Sequence, residues 1–440
     1  MFKRLASEQI SKFIGESTSP HQVLIVQGAR QVGKTTTLNG LLREFPNVLS
    51  SNLERDRVLR DSIDKTVDFT DFEKQLQNTL GFDSTREQIL FIDEAQESTQ
   101  LGSYVRFMKE QWPNTKCILT GSSMKRLYRV TDRVPVGRTA KLLLTPLNFR
   151  EFLAAREQPV LLHAIEEFAS LMRPPSPILH EQLLNEFDRY LLSGGLPEVV
   201  KAFNKDHDYE AVAKDILIEQ EEDFVRKESV TKIDLFQDSL RAVANSLGSQ
   251  FKLTTTDHKY HDAKKIMNLL SSWKLVYLIE QKSTVPNTKM SPKMYMYDLG
   301  IASQLRNMPF PQIGLLESKD PTLRIPLGGL FENAVLIELM SDTLGRLTIS
   351  SWRKKSGTDI EVDFVWRHKN QLIPIECKAT LNATKRHFKN LVHYNKFTGS
   401  TCGFLISAAP YRTFKHGAFK LVNLPIYLVQ SSNLLREYSQ

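Results

Sequence analysis

Residues 21–45 read HQVLIVQGARQVGKTTTLNGLLREF, and the order of the pieces matters more than any one of them. The run VLIVQ at 23–27 is short, β-branched and apolar, which suits a strand buried in a parallel sheet. Gly28-Ala29-Arg30-Gln31-Val32-Gly33-Lys34-Thr35 then matches GxxxxGK[ST], and Leu38, Leu41 and Leu42 follow with helical spacing. Gly28 and Gly33 let the backbone curl so that its N–H groups converge on phosphate oxygens at a helix N-terminus. Lys34 reaches the β- and γ-phosphates, the Thr35 hydroxyl ligates Mg²⁺, and Thr36 carries the loop into the helix. Residues 28–36 are therefore the expected ATP-binding loop, with Mg²⁺ as the expected companion. A chance glycine turn is the bland alternative, and the flanking strand and helix argue against it.

About sixty residues on, Gln88-Ile89-Leu90-Phe91-Ile92-Asp93-Glu94-Ala95 is a second apolar strand, ending in two carboxylates. Asp93 is placed to hold Mg²⁺ through its water shell, and Glu94 to polarise the water that attacks the γ-phosphate. A third strand, Lys116–Thr120, runs into Gly121-Ser122-Ser123. Ser122 there could touch the γ-phosphate or the water, or simply satisfy a turn. Gly137-Arg138 follows a basic loop, and an exposed arginine near a nucleotide can act as a finger on a neighbouring subunit's γ-phosphate.

In order, GARQVGKTT, ILFIDEAQ, LTGSS, VGRT…LTPLNFREF and YLLSGGLPEVV resemble the prokaryotic AAA+ (P-loop) ATPases that carry a C-terminal domain of unknown function. The resemblance spans nearly the whole chain and lies in the ordered set of motifs. It implies Arg138 as the finger, Ser122 as the sensor at a strand end, and a homo-oligomer of ring or partial-ring form, up to a hexamer. It also maps a glycine-proline turn beside the adenine onto Gly195 and Pro197, although Gly-Gly-x-Pro between helices is also an ordinary turn.

The remaining chain reads as three further pieces. Residues 151–205 are periodic helices forming a lid, with a proline-rich loop at MRPPSPIL. The acidic run Glu219–Asp223 reads as a solvated helix face. Within 206–300, helices at FQDSLRAVANSLGSQ and HDAKKIMNLLSSWK precede strands at LVYLIEQ and KMYMYDLG. That is the order of a winged helix-turn-helix, which can set its second helix in a major groove, with His261, Lys264 and Lys265 as the exposed candidates. Such modules also bind proteins.

Residues 301–440 hold Glu332 on a helix, Asp363 on a strand, and Glu376 and Lys378 on the next strand. Positions i and i+2 of a strand share a face, so Glu376 and Lys378 emerge together, and an antiparallel neighbour would bring Asp363 to them. Carboxylates with a lysine suit Mg²⁺-dependent phosphodiester hydrolysis. The E…D…E-x-K order resembles the PD-(D/E)XK nuclease fold, and Lys385, Arg386, Lys389 and Lys396 could contact phosphates. The alternative is a cross-strand salt-bridge cluster, and a nuclease fold can also be kept for binding alone.

Composition fits this division. Length alone suggests roughly three domains, and 41% hydrophobic with 25% charged residues excludes general disorder. Residues 1–230 carry 30 basic and 34 acidic side chains, whereas residues 231–440 carry 28 and 16, a balance of +12 in the back half. Cys117, Cys377 and Cys402 form no CxxC pair, so neither a zinc site nor a disulfide framework is expected. With no stretch near ~18 apolar residues and no signal-like start, the expectation is a cytoplasmic protein without membrane contact. The expected architecture is α/β multidomain: an AAA+ core at 1–150, lid at 151–205, winged helix at 206–300 and nuclease-like domain at 301–440. The expected function is ATP-driven binding and remodelling of DNA, branched DNA included. Its rivals are an ATP-gated endonuclease and a nucleotide-dependent protein switch.

Overall fold

The strand expected at the head of the glycine loop is β1 (Val23–Gln27), and it lies inside a sheet of parallel strands. The structure is a computed structural model, and it describes residues 2–16, 23–122, 127, 139–228, 234–253, 259–284, 290–307, 313, 316, 321–354 and 360–439. Two compact units emerge: Met1–Thr145 with Ser272–Lys274, and Pro146–Ser271 with Leu275–Gln440.

In the first unit, α1 (Leu5–Gly15) precedes β1, and α2 (Lys34–Leu42) follows it. Then come β2 (Val48–Asn52), α3 (Arg57–Asp64), α4 (Phe69–Leu80), β3 (Gln88–Asp93), α5 (Leu101–Gln111), β4 (Thr115–Gly121) and β5 (Thr139–Leu143). The order β2-β3-β4-β1-β5 is parallel throughout among the described residues. Strands enclosed on both sides read as near-continuous apolar runs, and β3 is buried at every position, with Ile89–Ile92 between Gln88 and Asp93 at its ends. Local signals set the helix ends. Asp56 and Asp68 accept the N–H groups of Leu59 and Asp71, and Gly81 ends α4 at φ 70°. Phe72, Tyr104 and Trp112 stack within the core, with the Phe72 and Tyr104 rings 4.7 Å apart. Parallel order puts the C-terminal ends of β1, β3 and β4 on one edge, next to the point where the strand order reverses.

The second unit opens with helices: α6 (Phe149–Ala155), α7 (Pro159–Leu171), α8 (Pro177–Ser193), α9 (Pro197–Phe203), α10 (Tyr209–Glu228), α11 (Asp234–Asn245) and α12 (Tyr260–Ser272). A capping box between Asn148 and Glu151 starts α6. The acidic run on α10 departs from its reading as a solvated face. Glu221 and Asp223 are buried, Glu221 accepting Gln237 Nε2 at 2.6 Å and Asp223 pairing with Arg226, because α10 packs against neighbours there.

Next come β6 (Val276–Ile279), β7 (Gln281–Ser283), β8 (Lys293–Met296), α13 (Leu299–Leu305) and α14 (Pro321–Asp342). The chain finishes with β9 (Ile349–Arg353), β10 (Glu361–His368), β11 (Gln371–Lys378), α15 (Lys389–Thr398), β12 (Cys402–Ser407), β13 (Arg412–His416), β14 (Phe419–Pro425) and α16 (Ser431–Ser439). The single strand expected at LVYLIEQ divides at Glu280. β6 pairs with β8, whereas β7 joins the larger sheet beside β9, and the Glu280 carbonyl accepts Ser351 N–H at 2.9 Å. That sheet runs β13-β14-β12-β11-β10-β9-β7 and so draws in chain from before residue 300. No helix among the described residues is long and apolar enough to cross a membrane.

Candidate functional site

At the C-terminal edge of the first sheet the glycine loop is built by close approach. A Cβ on Gly28 would meet the Leu144 carbonyl oxygen at 2.3 Å, and Gly33 takes φ 91° at the start of α2. Val32 is fully buried and pins the loop, and Arg4 donates to its carbonyl at 2.8 Å and to the Thr145 carbonyl at 2.6 Å. Ala29 is buried, Thr36 is exposed at the first turn of α2, and Gln31 is left-handed at φ 64°. Arg30 pairs with Glu54 at 3.1 Å. Lys34 donates to the Gly28 and Ala29 carbonyls at 3.1 and 2.9 Å, so its ammonium already lies inside the loop it would share with phosphates.

Asp93, 2% exposed at the end of β3, is held by neutral donors. Its Oδ2 accepts Thr35 Oγ1 and Asn52 Nδ2, each at 2.8 Å, and its Oδ1 accepts the Thr120 hydroxyl. Glu94 follows in the left-handed region at φ 51°, a backbone cost of order 1 kcal/mol for a non-glycine residue. Gln96 donates to its carboxylate. Ser122 is buried just beyond β4. Arg138 lies outside the described residues. Pro197 opens α9 in the second unit. There Gly195 donates to Asp298 Oδ2 at 2.8 Å, and its carbonyl accepts Leu147 N–H at 2.7 Å.

This donor set fits ATP with Mg²⁺. A helix N-terminus, a lysine within the loop and a hydroxyl sharing a carboxylate are what a triphosphate and its cation require. Arg4, Asn52, Thr120 and Gln96 escape motif reading, because each acts through a contact 27 or more residues away in sequence or through a short bond inside a turn.

The second cluster sits where β8, α14, β10 and β11 meet. Gly329 lets α14 lie against the turn after α11, since a Cβ there would meet the Leu247 carbonyl oxygen at 2.4 Å. Asn333 clamps the Met296 backbone, accepting its N–H at 2.7 Å and donating to its carbonyl at 3.1 Å. This fixes β8 so that Lys293 and Tyr295, two apart on one face, meet Glu332. The β10–β9 register shifts between Val362 and Val365, and Asp363 stands in that irregularity, where bulges re-aim side chains.

Glu332, Asp363, Glu376 and Lys378 do converge, but Lys293, Tyr295, Glu361 and Asn390 lie among them. Lys293 Nζ is 2.9 Å from Glu332 Oε1, 2.6 Å from Glu361 Oε1 and 3.2 Å from Asp363 Oδ1. Tyr295 donates to Glu332 Oε1 at 2.5 Å, and Asp363 Oδ2 accepts Cys377 N–H at 2.8 Å. Lys378 pairs with Glu376 at 2.7 Å, and Asn390 donates to the same carboxylate oxygen at 3.0 Å. Burial and the Asp363 charge push Glu332 up to about 7 and Glu376 up to about 8. Burial opposes ionisation of Asp363 too, yet Lys293, Lys378 and the Cys377 N–H outweigh it and hold Asp363 below the usual range. The same carboxylates, against burial, keep Lys293 charged.

Among the described residues no group of three or more acidic, histidine or cysteine side chains is disposed to hold a metal. The Lys293 ammonium engages Glu332 and Asp363, two of the carboxylates expected to hold Mg²⁺, and Glu361 besides. Lys293 could have been noticed as a lysine opening the apolar run KMYMY, but its partners are 39 to 70 residues away. Lys264 and Lys265 are exposed on α12, beside exposed His261. Lys385 and Arg386 are exposed ahead of α15, and Lys389 and Lys396 are exposed on it.

Fold and loop geometry define the first unit as a P-loop AAA-like ATPase domain. Residues 20–153 match the family described as an AAA domain. Residues 184–312 and 327–427 match two families, each described as a domain of unknown function. An uncharacterized protein of Methanocaldococcus jannaschii is 24% identical over 261 residues, 58% of this chain and 51% of that one, so the match spans about half that relative's length. An uncharacterized protein of Haemophilus influenzae is 22% identical over 84% of this chain and 86% of its own. Among solved structures, a Walker-type ATPase of Pyrococcus abyssi is 18% identical over 70% of this chain and 96% of its own, with a TM-score of 0.44. A Drosophila ORC structure bound to DNA is 14% identical over 62% of this chain and 86% of its own, with a TM-score of 0.25.

Proposed function

We propose that this chain hydrolyses ATP and uses the cycle to bind and remodel DNA, branched DNA included, through its second unit. The observation that carries the ATPase chemistry is the shared carboxylate: Thr35 and Asn52 both donate to Asp93 at 2.8 Å, beside a lysine held in the glycine loop. Residues 28–36 bind the triphosphate, with Lys34 on its terminal phosphates. Thr35 and Asp93 would hold Mg²⁺, which when bound neutralises phosphate charge. Glu94 orients the attacking water, and Gln96 holds Glu94 until substrate arrives. By the resemblance, Ser122 senses the γ-phosphate and Pro197 borders the adenine. Arg138 reaches a neighbouring subunit's nucleotide in a homo-oligomeric ring, of which a hexamer is one form.

The DNA reading rests on the +12 balance of residues 231–440 and on the exposed cations already named. Two element orders support its modules. The α11, α12, β6, β8 order suits a winged helix, with Lys264 and Lys265 facing out. The α14-β9-β10-β11-α15-β12 order has antiparallel β9–β10 and β10–β11 pairs and a parallel β11–β12 pair, which suits the nuclease-like core. Lys385, Arg386 and Lys389 would then face the phosphate backbone.

The test is ATP turnover with duplex, single-stranded and four-way-junction DNA, with strand cleavage read from the same tubes. Stimulation of turnover by DNA with intact strands is expected. Slow turnover indifferent to every DNA would replace this reading with the protein switch, and Mg²⁺-dependent cutting would replace it with the endonuclease.

A further inference from the structure

We infer that Lys293 takes the place of a divalent cation in the acidic cluster of the second unit, making this nuclease-like domain one that holds DNA without cutting it. The DNA part of that statement rests on the proposed function; the lysine part stands on its own geometry.

An ammonium has three hydrogens, and Lys293 Nζ has three carboxylates within 3.2 Å: Glu332, Glu361 and Asp363. It donates to Glu332 and Asp363 and pairs with Glu361, so its charge lies among the acids where a metal would have to sit. Mg²⁺ needs oxygens at roughly 2.0–2.1 Å in near-octahedral array. The cluster instead offers oxygens spaced about an ammonium, and several are already engaged. Asp363 Oδ2 takes the Cys377 N–H, Glu332 Oε1 takes the Tyr295 hydroxyl, and Glu376 Oε1 takes both Lys378 and Asn390.

The lysine is also held in place. Its side chain is 1% exposed, and its backbone pairs with Ile279 across β6 and bridges to Gln250. Three residues on, Asn333 grips both polar groups of Met296. Swinging the ammonium out to admit a metal would strip the buried Glu332 and Asp363 of their shared cation and break its pair with half-buried Glu361. A catalytic lysine of a metal nuclease belongs beside the cation, as Lys378 is placed beside Glu376; Lys293 is a second lysine, supplied by another strand, at the centre of the acids.

Mn²⁺ serves as the probe, titrated into the nucleotide-free full chain and read by electron paramagnetic resonance and by thermal melting. Wild type and Asp363→Asn should give the same isotherm, because the cluster takes up no metal. Lys293→Met should melt below wild type, gain one Mn²⁺ site at least tenfold tighter than any in wild type, and recover melting temperature as Mn²⁺ is added. One equivalent of Mn²⁺ on wild type that disappears in Asp363→Asn would overturn the inference, and so would a folded Lys293→Met that gains no site. If Lys293→Met does not fold, the pair of isotherms from wild type and Asp363→Asn decides alone. Junction-DNA anisotropy on wild type separates the two ideas. Absent salt-dependent binding removes the DNA reading, whereas the Mn²⁺ isotherms judge Lys293 regardless.

Discussion

Asp93 and Asp363 are both nearly buried carboxylates at strand positions, yet they are satisfied by opposite means. Asp93 is met by hydroxyls and an amide, from Thr35, Thr120 and Asn52. Asp363 takes one neutral donor, the Cys377 N–H, but is met chiefly by the Lys293 ammonium, with Lys378 close enough to lower it further. Neutral donors orient a carboxylate and leave its charge to be answered by a cation that comes and goes. An ammonium answers the charge permanently. One arrangement suits a site that loads and releases a metal nucleotide; the other suits a closed electrostatic core. Two acid clusters that look alike in sequence thus differ by what faces them.

The comparison breaks most visibly in turnover. Glu94→Gln should retain ATP binding while kcat falls roughly 10²–10³-fold, the cost of losing the group that orients water. Lys34→Ala should instead weaken ATP binding itself. Equilibrium nucleotide binding and steady-state rate, measured on both variants, separate the roles, and normal turnover in Glu94→Gln would remove that residue from the chemistry.

A smaller effect should appear with pH, and on one side only. In the second unit burial pushes up Glu338 and Glu376 to about 8, Glu332 and Asp188 to about 7, and Asp298 to about 6. Each then binds its proton more tightly folded than unfolded, so its stabilisation is complete below the ordinary carboxylate value near 4 and is lost as pH rises through 6–8. Each such group can cost up to about 1.4 kcal/mol per pH unit across that window. In the first unit the Asp83 carboxyl goes the other way, held below its ordinary value by hydrogen bonds from Thr85. Hydrogen exchange followed by mass spectrometry, corrected for intrinsic rate, should therefore show protection falling from pH 5 to 8 in residues 146–440 and not in 23–122. Equal loss in both would erase the contrast.

The smallest changes sharpen it. Asn52→Ala and Tyr295→Phe each remove one donor from a buried carboxylate, at about 1 kcal/mol of stability. Their consequences should part: Asn52→Ala should raise the Mg²⁺ concentration needed for half-maximal ATP turnover, and Tyr295→Phe should leave it unchanged. Denaturant melts alongside Mg²⁺ titrations read both quantities. An unchanged Mg²⁺ requirement in Asn52→Ala would show that Asp93 needs no help from β2.

Much of the first unit was legible because its information is local. A glycine loop must be contiguous to curl around phosphate, so Gly28 through Thr35 announces itself, and an apolar strand ending in Asp93 and Glu94 does the same. The convergence of Asp363, Glu376 and Lys378 was legible for a similar reason, since strand alternation and one antiparallel neighbour suffice. Helix faces were harder. Glu221 and Asp223 read as solvated because a run of like charges usually is, and only the packing of α10 buries them.

By itself the sequence determined the phosphate loop, its strand and helix, the acid pair that follows it, and the basic excess of the back half, because each depends on neighbouring residues or on composition. Tertiary structure alone decided which group faces each carboxylate. Asn52 reaches Asp93 because β2 lies beside β3, and Lys293 reaches Glu332, Glu361 and Asp363 because Asn333 ties β8 to α14. The physical reason is range. Backbone conformation is set over a few residues, whereas the free energy of a buried charge is set by whatever lies within about 4 Å, from anywhere in the chain.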